Sequence, residues 1–209
     1  MSFEIVPGLR YRDRSDWGAD GSLPRLGHRV DRDLRREVIF HHTVMPDTSD
    51  TSPNIWETTG EVDTMMRRLQ VVRRDDLGAD VPYNFVVFFM RDGGIQVCEG
   101  RGEDRTGAHT KGHNTSGIGI ALAGNFHDHD AGIVEIARRI YLLSFFLGWL
   151  KHDGSHPSIG TFPPMPNLGE IRPDGAEVWA HADFKPTACP GRTFIPHLRQ
   201  ITFLEPPGS

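Results

Sequence analysis

The chain has little cysteine, no long apolar run and no excess of positive charge. Only two of its 209 residues are cysteines, Cys98 and Cys189, so a single disulfide is the most that could form. The longest apolar run, residues 140–150, is too short to cross a bilayer. A net charge of -5 provides no basic footprint for nucleic acid. We therefore predict a protein that neither binds nucleic acid nor inserts into a membrane.

The N-terminus also lacks the charged start and apolar core of a secretory signal peptide, which indicates synthesis in a cytoplasm. With 37% hydrophobic and 24% charged residues, the composition is typical of a globular protein. We predict three parts: an arm at residues 1–36 that lies over the domain and is anchored by Trp17, a main domain at residues 37–203, and a tail or linker start at residues 204–209.

Apolar patterning predicts an α/β fold, with a mixed central sheet and helices packed on it. Short runs rich in β-branched and aromatic residues predict strands at residues 37–41, 83–90, 95–99, 118–123 and 177–181. Helical spacing of apolar residues predicts helices at residues 61–74, 133–151 and 192–201, the last one kinked at Pro196.

One stretch, residues 179–191, contains His181 and Cys189 with seven residues between them. An imidazole and a thiolate are ligands that suit zinc. If Pro190 opens the last helix, Cys189 lies at a helix N-terminus, where free N–H groups and the dipole favour a thiolate. The best third ligand is His41, at the end of a predicted strand. Three ligands leave one position open, which is typical of a zinc that activates water for hydrolysis of an amide or ester.

Residue types alone leave simpler interpretations open. His41 and His42 could be ordinary strand residues, one buried and one exposed. His181 and Cys189 could be buried residues without a ligand, and His109 would be solvent-exposed in its loop by default. Cys98 is expected to be a small, half-buried strand residue.

Several motifs, in order and at plausible spacing, resemble those of one family. The family is that of the zinc-dependent N-acetylmuramoyl-L-alanine amidases of the peptidoglycan-recognition-protein and phage-lysozyme type. The resemblance extends from about residue 15 to residue 200. It is carried by Trp17–Ala19, Phe40–Thr43, Val81–Phe85, Asp92–Gly94, Gly107–His109, Ile118–Phe126 and His181–Gly191.

The resemblance implies a peptidoglycan-recognition-protein-like amidase fold, with residues 37–203 as the catalytic domain and Zn²⁺ as cofactor. It implies peptidoglycan as substrate, cut at the amide between N-acetylmuramic acid and the L-alanine of the stem peptide. The family's ligand is the first histidine of its His-His-Thr motif. The resemblance therefore selects His41 over His42 and pairs it with His181 and Cys189.

The resemblance also suggests catalytic and binding roles. Tyr83 matches a tyrosine that assists the attacking water or the tetrahedral intermediate, and its phenol could donate to the developing oxyanion. Thr187 stands where phage lysozymes carry a catalytic lysine and recognition proteins carry threonine, which leaves the general base unassigned. His109 matches a histidine of the substrate groove, and Asn84 and His42 are assigned to substrate binding with it. For Asn84, a turn or sheet hydrogen bond is an alternative with at least equal support.

Two other functions stay open at this point. One is a non-catalytic peptidoglycan-binding module, although such proteins commonly lose the cysteine ligand. The other is a cytoplasmic amidase that recycles anhydromuropeptides. Without an export signal, the chain suits a phage or prophage endolysin made in the host cytoplasm that reaches the cell wall after holin-type release. We expect a monomer.

Overall fold

A seven-stranded mixed sheet forms the centre of the protein, and its strand order is β1-β2-β5-β4-β6-β3-β7. The computed structural model describes residues 2–45, 54–72, 78–127, 133–152 and 164–205. The pairs β1–β2 and β4–β5 are antiparallel and the others are parallel, which confirms the predicted mixed α/β sheet. The strands are β1 (Phe3–Val6), β2 (Leu9–Arg12), β3 (Glu37–His42), β4 (Phe85–Phe89), β5 (Ile95–Glu99), β6 (Gly117–Leu122) and β7 (Trp179–Ala180).

Within the described residues, two α-helices pack on the sheet, α1 (Thr59–Val72) and α2 (Ile133–His152). Helix α2 matches the predicted helix, while α1 begins two residues before its predicted start, and its predicted end at residues 73–74 lies outside the described residues. Thr58 and Glu61 form a capping box: the Thr58 hydroxyl accepts from the Glu61 N–H at 3.3 Å, and the Glu61 carboxylate accepts from the Thr58 N–H at 3.0 Å. Neither helix, over the part of the chain described, has the length and apolarity to cross a membrane.

Helix α2 covers one face of the sheet with the larger apolar core, and its own Arg139 and Ser144 are buried there as well. Phe146 is fully buried, with its ring centroid 5.2 Å from that of Phe85 and 6.1 Å from that of Trp149. Large-area burial of this kind is the main favourable contribution to the free energy of folding.

Helix α1 covers part of the opposite face, with a smaller apolar cluster that includes Trp17. The Trp17 side chain is fully buried and its Nε1–H donates to the Glu99 carbonyl at 2.9 Å, as expected of an anchor. The segment 1–36 is more than an arm, however, because strands β1 and β2 within it pair with each other and with β5. Cys98 lies on this face and is fully buried, not half-buried, and both cysteines are free thiols.

The C-terminal part departs most from the sequence prediction. The predicted strand 177–181 is reduced to the two residues of β7, and the predicted helix 192–201 is a 3-10 helix, Ile195–Gln200. Pro190 follows a cis peptide bond and is not in a helix, so Cys189 does not lie at a helix N-terminus. Of the predicted tail, residues 206–209 lie outside the described residues, as do the loop residues 47–53 and 153–163.

Candidate functional site

Parallel pairing of β3 with β7 brings two histidines together. The register pairs Phe40 with Ala180, so the next residues lie side by side: His41, which is still in β3, and His181, which follows β7. The centroids of their imidazole rings are 4.4 Å apart. The two side chains come from opposite ends of the sequence, and their proximity is a direct consequence of strand order.

Cys189 completes a cluster with these two rings. The Ala182 N–H donates to the Cys189 carbonyl at 2.9 Å, which folds the segment back on itself and returns the thiol to the histidines. The Cys189 Sγ lies 3.7 Å from the His41 Nδ1 and accepts the backbone N–H of His42 at 3.4 Å. One potential ligand atom from each of His41, His181 and Cys189 lies within 4.8 Å of the others, and all three residues are buried.

The cluster suits a zinc ion in the chemistry of its donors, and one pair of potential ligands has the spacing that zinc requires. Tetrahedral ligands with zinc bonds of about 2.0–2.3 Å stand roughly 3.3–3.8 Å apart. The 3.7 Å between His41 Nδ1 and Cys189 Sγ falls in that range. Two imidazoles and one thiol leave a fourth position for water or substrate, so the residues present suit a catalytic ion better than a structural one.

Burial controls the protonation of the cluster. Burial lowers the pKa of His41 well below its ordinary value, and the imidazoles of His109 and His181 add to that shift. Burial also lowers the pKa of His181, with Lys185 contributing, so both rings are neutral at pH 7 and offer lone pairs. Burial raises the pKa of the Cys189 thiol to about 11, while the His42 N–H and Lys185 act in the opposite direction. A bound cation would displace the thiol proton. The sequence predicted that a helix dipole would stabilise the thiolate. The structure has instead the backbone N–H of His42, in β3, as the donor to the sulfur.

The two residues predicted to assist catalysis lie near the cluster. The Tyr83 ring centroid is 5.3 Å from that of His41, and the side chain is half-buried. The Thr187 hydroxyl accepts the Cys189 N–H at 3.3 Å, which ties it to the ligand-bearing segment.

The three residues assigned to substrate binding are all buried. The Asn84 amide donates to the carbonyls of Gly102 and Arg105 at 2.6 and 2.9 Å and accepts from the Gly119 N–H at 2.8 Å, which favours the alternative of a sheet hydrogen bond. The His42 Nδ1 accepts the Phe126 N–H at 3.2 Å, on the opposite face of β3 from His41.

The third of these residues, His109, contacts the cluster directly. Its Nδ1 lies 3.1 Å from the His41 Nε2 and 3.0 Å from the Thr110 hydroxyl. Thr110 is not part of any motif that predicted the site, and its position next to His109 is the one sequence feature that points to it.

Two adjoining cavities open beside the cluster, with volumes of about 620 and 310 Å³. They share His109, Thr110, Lys111 and Lys185 in their linings, and the smaller one also contacts His181. Lys111 and Lys185 are exposed, and among the residues that the structure describes no carboxylate lines either cavity. The groove beside the cluster is therefore cationic in a chain whose net charge is negative. Neither lysine was predicted from the sequence, although Lys185 lies inside the motif 181–191.

The fold is similar to those of solved peptidoglycan-recognition proteins. The structure matches Drosophila PGRP-LB (TM-score 0.61, 24% identity, 90% of this chain and 92% of that one). It also matches peptidoglycan recognition protein-LE in complex with tracheal cytotoxin, a monomeric diaminopimelic acid-type peptidoglycan (TM-score 0.60, 20% identity, 97% and 98%). The fold is thus that of the peptidoglycan-recognition proteins.

Sequence relatives agree with this class. The chain is 35% identical to a mouse N-acetylmuramoyl-L-alanine amidase over 201 residues, 95% of this chain but 31% of the mouse protein. It is 29% identical to the endolysin of Enterobacteria phage K11 over 149 residues, 71% of this chain and 83% of the phage protein. Against two insect peptidoglycan-recognition proteins, the chain spans 50% and 69% of their lengths. No protein-family model matches the chain. Together, these similarities support a place for the chain in the family of peptidoglycan-recognition proteins and N-acetylmuramoyl-L-alanine amidases.

Proposed function

We propose that the chain is a zinc-dependent N-acetylmuramoyl-L-alanine amidase. It hydrolyses the amide that joins the lactyl group of N-acetylmuramic acid to the L-alanine of the stem peptide. The observation that carries the proposal is the convergence of His41, His181 and Cys189 on one buried point at the end of a groove. Relatives named as an amidase and an endolysin support hydrolysis of peptidoglycan in general.

The proposed roles follow from the chemistry of the side chains. Zinc held by the three ligands would supply Lewis-acid activation of water and of the amide carbonyl. Tyr83 donates its phenolic hydrogen to the carbonyl oxygen as negative charge develops there. The Thr187 hydroxyl accepts the Cys189 N–H and so stabilises the loop that carries Cys189. Thr187 has no positive charge with which to stabilise the intermediate.

The groove suits an anionic stem peptide. Lys111 and Lys185 flank the cavities next to the cluster, and in the described part of the chain neither forms an ion pair. Stem peptides carry free carboxylates, so two exposed ammonium groups would attract and orient them. The related fold of peptidoglycan recognition protein-LE in complex with a monomeric peptidoglycan supports the same class of ligand.

The ligand set argues against a purely binding role. A recognition module needs the groove but not three converging metal ligands beside it. Because all three ligands and Tyr83 are present, we favour catalysis over binding alone.

We further propose a lytic, endolysin-like setting, which the phage relative supports. External addition of the protein to outer-membrane-permeabilised cells would test it by loss of turbidity.

The test is release of new L-alanine amino groups from purified peptidoglycan. We expect release by the zinc-loaded protein, its loss on chelation and its recovery with zinc. Cys189→Ala should abolish both stoichiometric zinc and turnover. The matched control is Cys98→Ala, which removes the other buried thiol and should leave the zinc content unchanged. Tight muropeptide binding by zinc-loaded protein without turnover would overturn the amidase proposal and support a recognition module. Comparing intact sacculi with small muropeptides separates lysis from recycling.

A further inference from the structure

The His41 ring has distinct neighbours on its two nitrogens. Its Nδ1 faces the cluster, 3.7 Å from the Cys189 Sγ. Its Nε2 faces away from the sulfur, 3.1 Å from the His109 Nδ1 and 3.3 Å from the Thr110 hydroxyl. The nitrogen on the cluster side is therefore Nδ1, and the environment of Nε2 determines how the ring is oriented.

Neutral imidazole carries one hydrogen, so the two nitrogens cannot be chosen independently. If Nδ1 of His41 is to offer its lone pair to an ion, the hydrogen must be on Nε2, which then needs an acceptor. The His109 Nδ1 is placed to be that acceptor. Histidine ligands usually donate their second N–H to a carboxylate, a carbonyl or water, and here an imidazole nitrogen occupies that position.

The surroundings of His109 fix its ring for this purpose. A Cβ on Gly107 or Gly119 would lie only 2.2 or 2.3 Å from its Cδ2, so the ring fills space that two glycines leave. The Asn114 side-chain oxygen accepts the backbone N–H groups of His109 and Thr110, each at 2.9 Å. The Nε2 of His109 is buried against the glycines and has no hydrogen-bond partner among the described residues. Neither ring nitrogen is therefore directed to substrate.

We propose that His109 is a positioning residue for the metal centre: its Nδ1 accepts the His41 Nε2–H and so turns the His41 Nδ1 towards the ion. The proposal rests on the proposed zinc site, and it replaces the substrate-binding role that the resemblance suggested for His109. Thr110 has a minor share, because its hydroxyl lies within hydrogen-bonding distance of both rings.

The test compares two variants of nearly equal size. In His109→Asn, the side-chain oxygen stands near the former Nδ1 and keeps an acceptor, while His109→Leu removes it. Zinc affinity is measured without substrate, by competition with a chromophoric chelator. We expect His109→Leu to weaken zinc binding by about 10–100-fold, the usual effect of losing an outer-shell partner. His109→Asn should stay within a few-fold of the parent protein, and Thr110→Val should fall between the two.

Each outcome either supports or overturns the positioning role of His109. Equal zinc affinity in the parent and His109→Leu proteins would overturn the proposal. So would an equal loss in both His109 variants when their zinc-free melting temperatures match. If His109→Leu does not fold, ¹⁵N NMR of the zinc-loaded parent protein provides the answer: the proposal requires a protonated Nε2 and a metal-bound Nδ1 on His41, and the opposite tautomer refutes it. Because no readout uses turnover, failure of the amidase proposal would appear separately, as zinc binding without hydrolysis.

Discussion

The two faces of the central sheet bury different kinds of residue. The face under α2 is closed by a mainly apolar core in which aromatic rings such as Phe85, Phe146 and Trp149 contact one another, and few polar side chains, such as His42 and Arg139, are buried there. The other face is covered by α1 only in part, and beyond the helix it buries polar groups such as His41 and His109. One face therefore supplies stability, and the incompletely covered face supplies a site.

This contrast predicts that a substitution in the apolar core lowers stability but not zinc binding, and that a substitution at the site does the reverse. Phe146→Ala should lower the free energy of unfolding of the zinc-free protein by about 3–5 kcal/mol, because it leaves a cavity in a closed core. Folded Phe146→Ala should still bind one zinc. His41→Ala should lower the stability of the zinc-free protein by only about 1 kcal/mol and abolish zinc binding.

Urea titration with added chelator gives the stabilities, and elemental analysis gives the metal content. If His41→Ala destabilises the zinc-free protein as much as Phe146→Ala, the polar face contributes as much to stability as the apolar one and the comparison fails.

The same contrast explains which parts of the structure the sequence could predict. Helix α2 and strands β4, β5 and β6 have apolar patterns that follow from burial against a core, and their predicted bounds are close to those observed. Strands β1 and β2 were not predicted, because each has only four residues and includes charged ones, such as Glu4 and Arg10. Their strand character depends on pairing with each other and with β5, which no local pattern records.

At the site, the ligand residues were identifiable but their surroundings were not. Motifs indicated His41, His181 and Cys189, which the structure brings together. The Pro190 signal was misleading, because proline suits a helix start and a cis turn alike, and here the peptide bond is cis. The contact between His41 and His109 joins residues 68 positions apart, so only the fold reveals it.

A smaller but purely chemical effect is expected at Tyr83. Tyr83→Phe removes one hydroxyl and should lower kcat by about 10²–10³-fold, the usual effect of losing an oxyanion donor, with zinc affinity unchanged. The matched control is Tyr141→Phe on α2, where the side chain is 54% exposed, and it should have no effect. Steady-state kinetics on a soluble muropeptide provide the measurement. A Tyr83→Phe enzyme within threefold of the parent kcat would remove Tyr83 from the proposed chemistry.

The cationic groove should affect substrate binding more than chemistry. Lys111→Gln combined with Lys185→Gln should raise KM for an acidic muropeptide by about tenfold, with little change in kcat, because each lysine contributes a partly solvated charge contact. The effect should weaken as ionic strength rises. Lys151→Gln is the control, since this lysine lies over the Phe203 ring at the end of α2. An unchanged KM for the double variant at low salt would mean that these lysines do not bind the carboxylates of the substrate.

The smallest expected effect concerns the helix that covers only part of the site face. Thr58→Ala breaks the capping box of α1 and should lower the free energy of unfolding by about 1 kcal/mol. Thr64→Ala is the control within the same helix, because its exposed hydroxyl donates to the Gly60 carbonyl and accepts from the exposed Arg67 side chain but caps no helix end. Hydrogen exchange should show faster opening of α1 in Thr58→Ala, with α2 unaffected and zinc affinity retained. If α2 opens to the same extent, the two faces unfold as one unit, and the division between a stabilising face and a functional face would not extend to local dynamics.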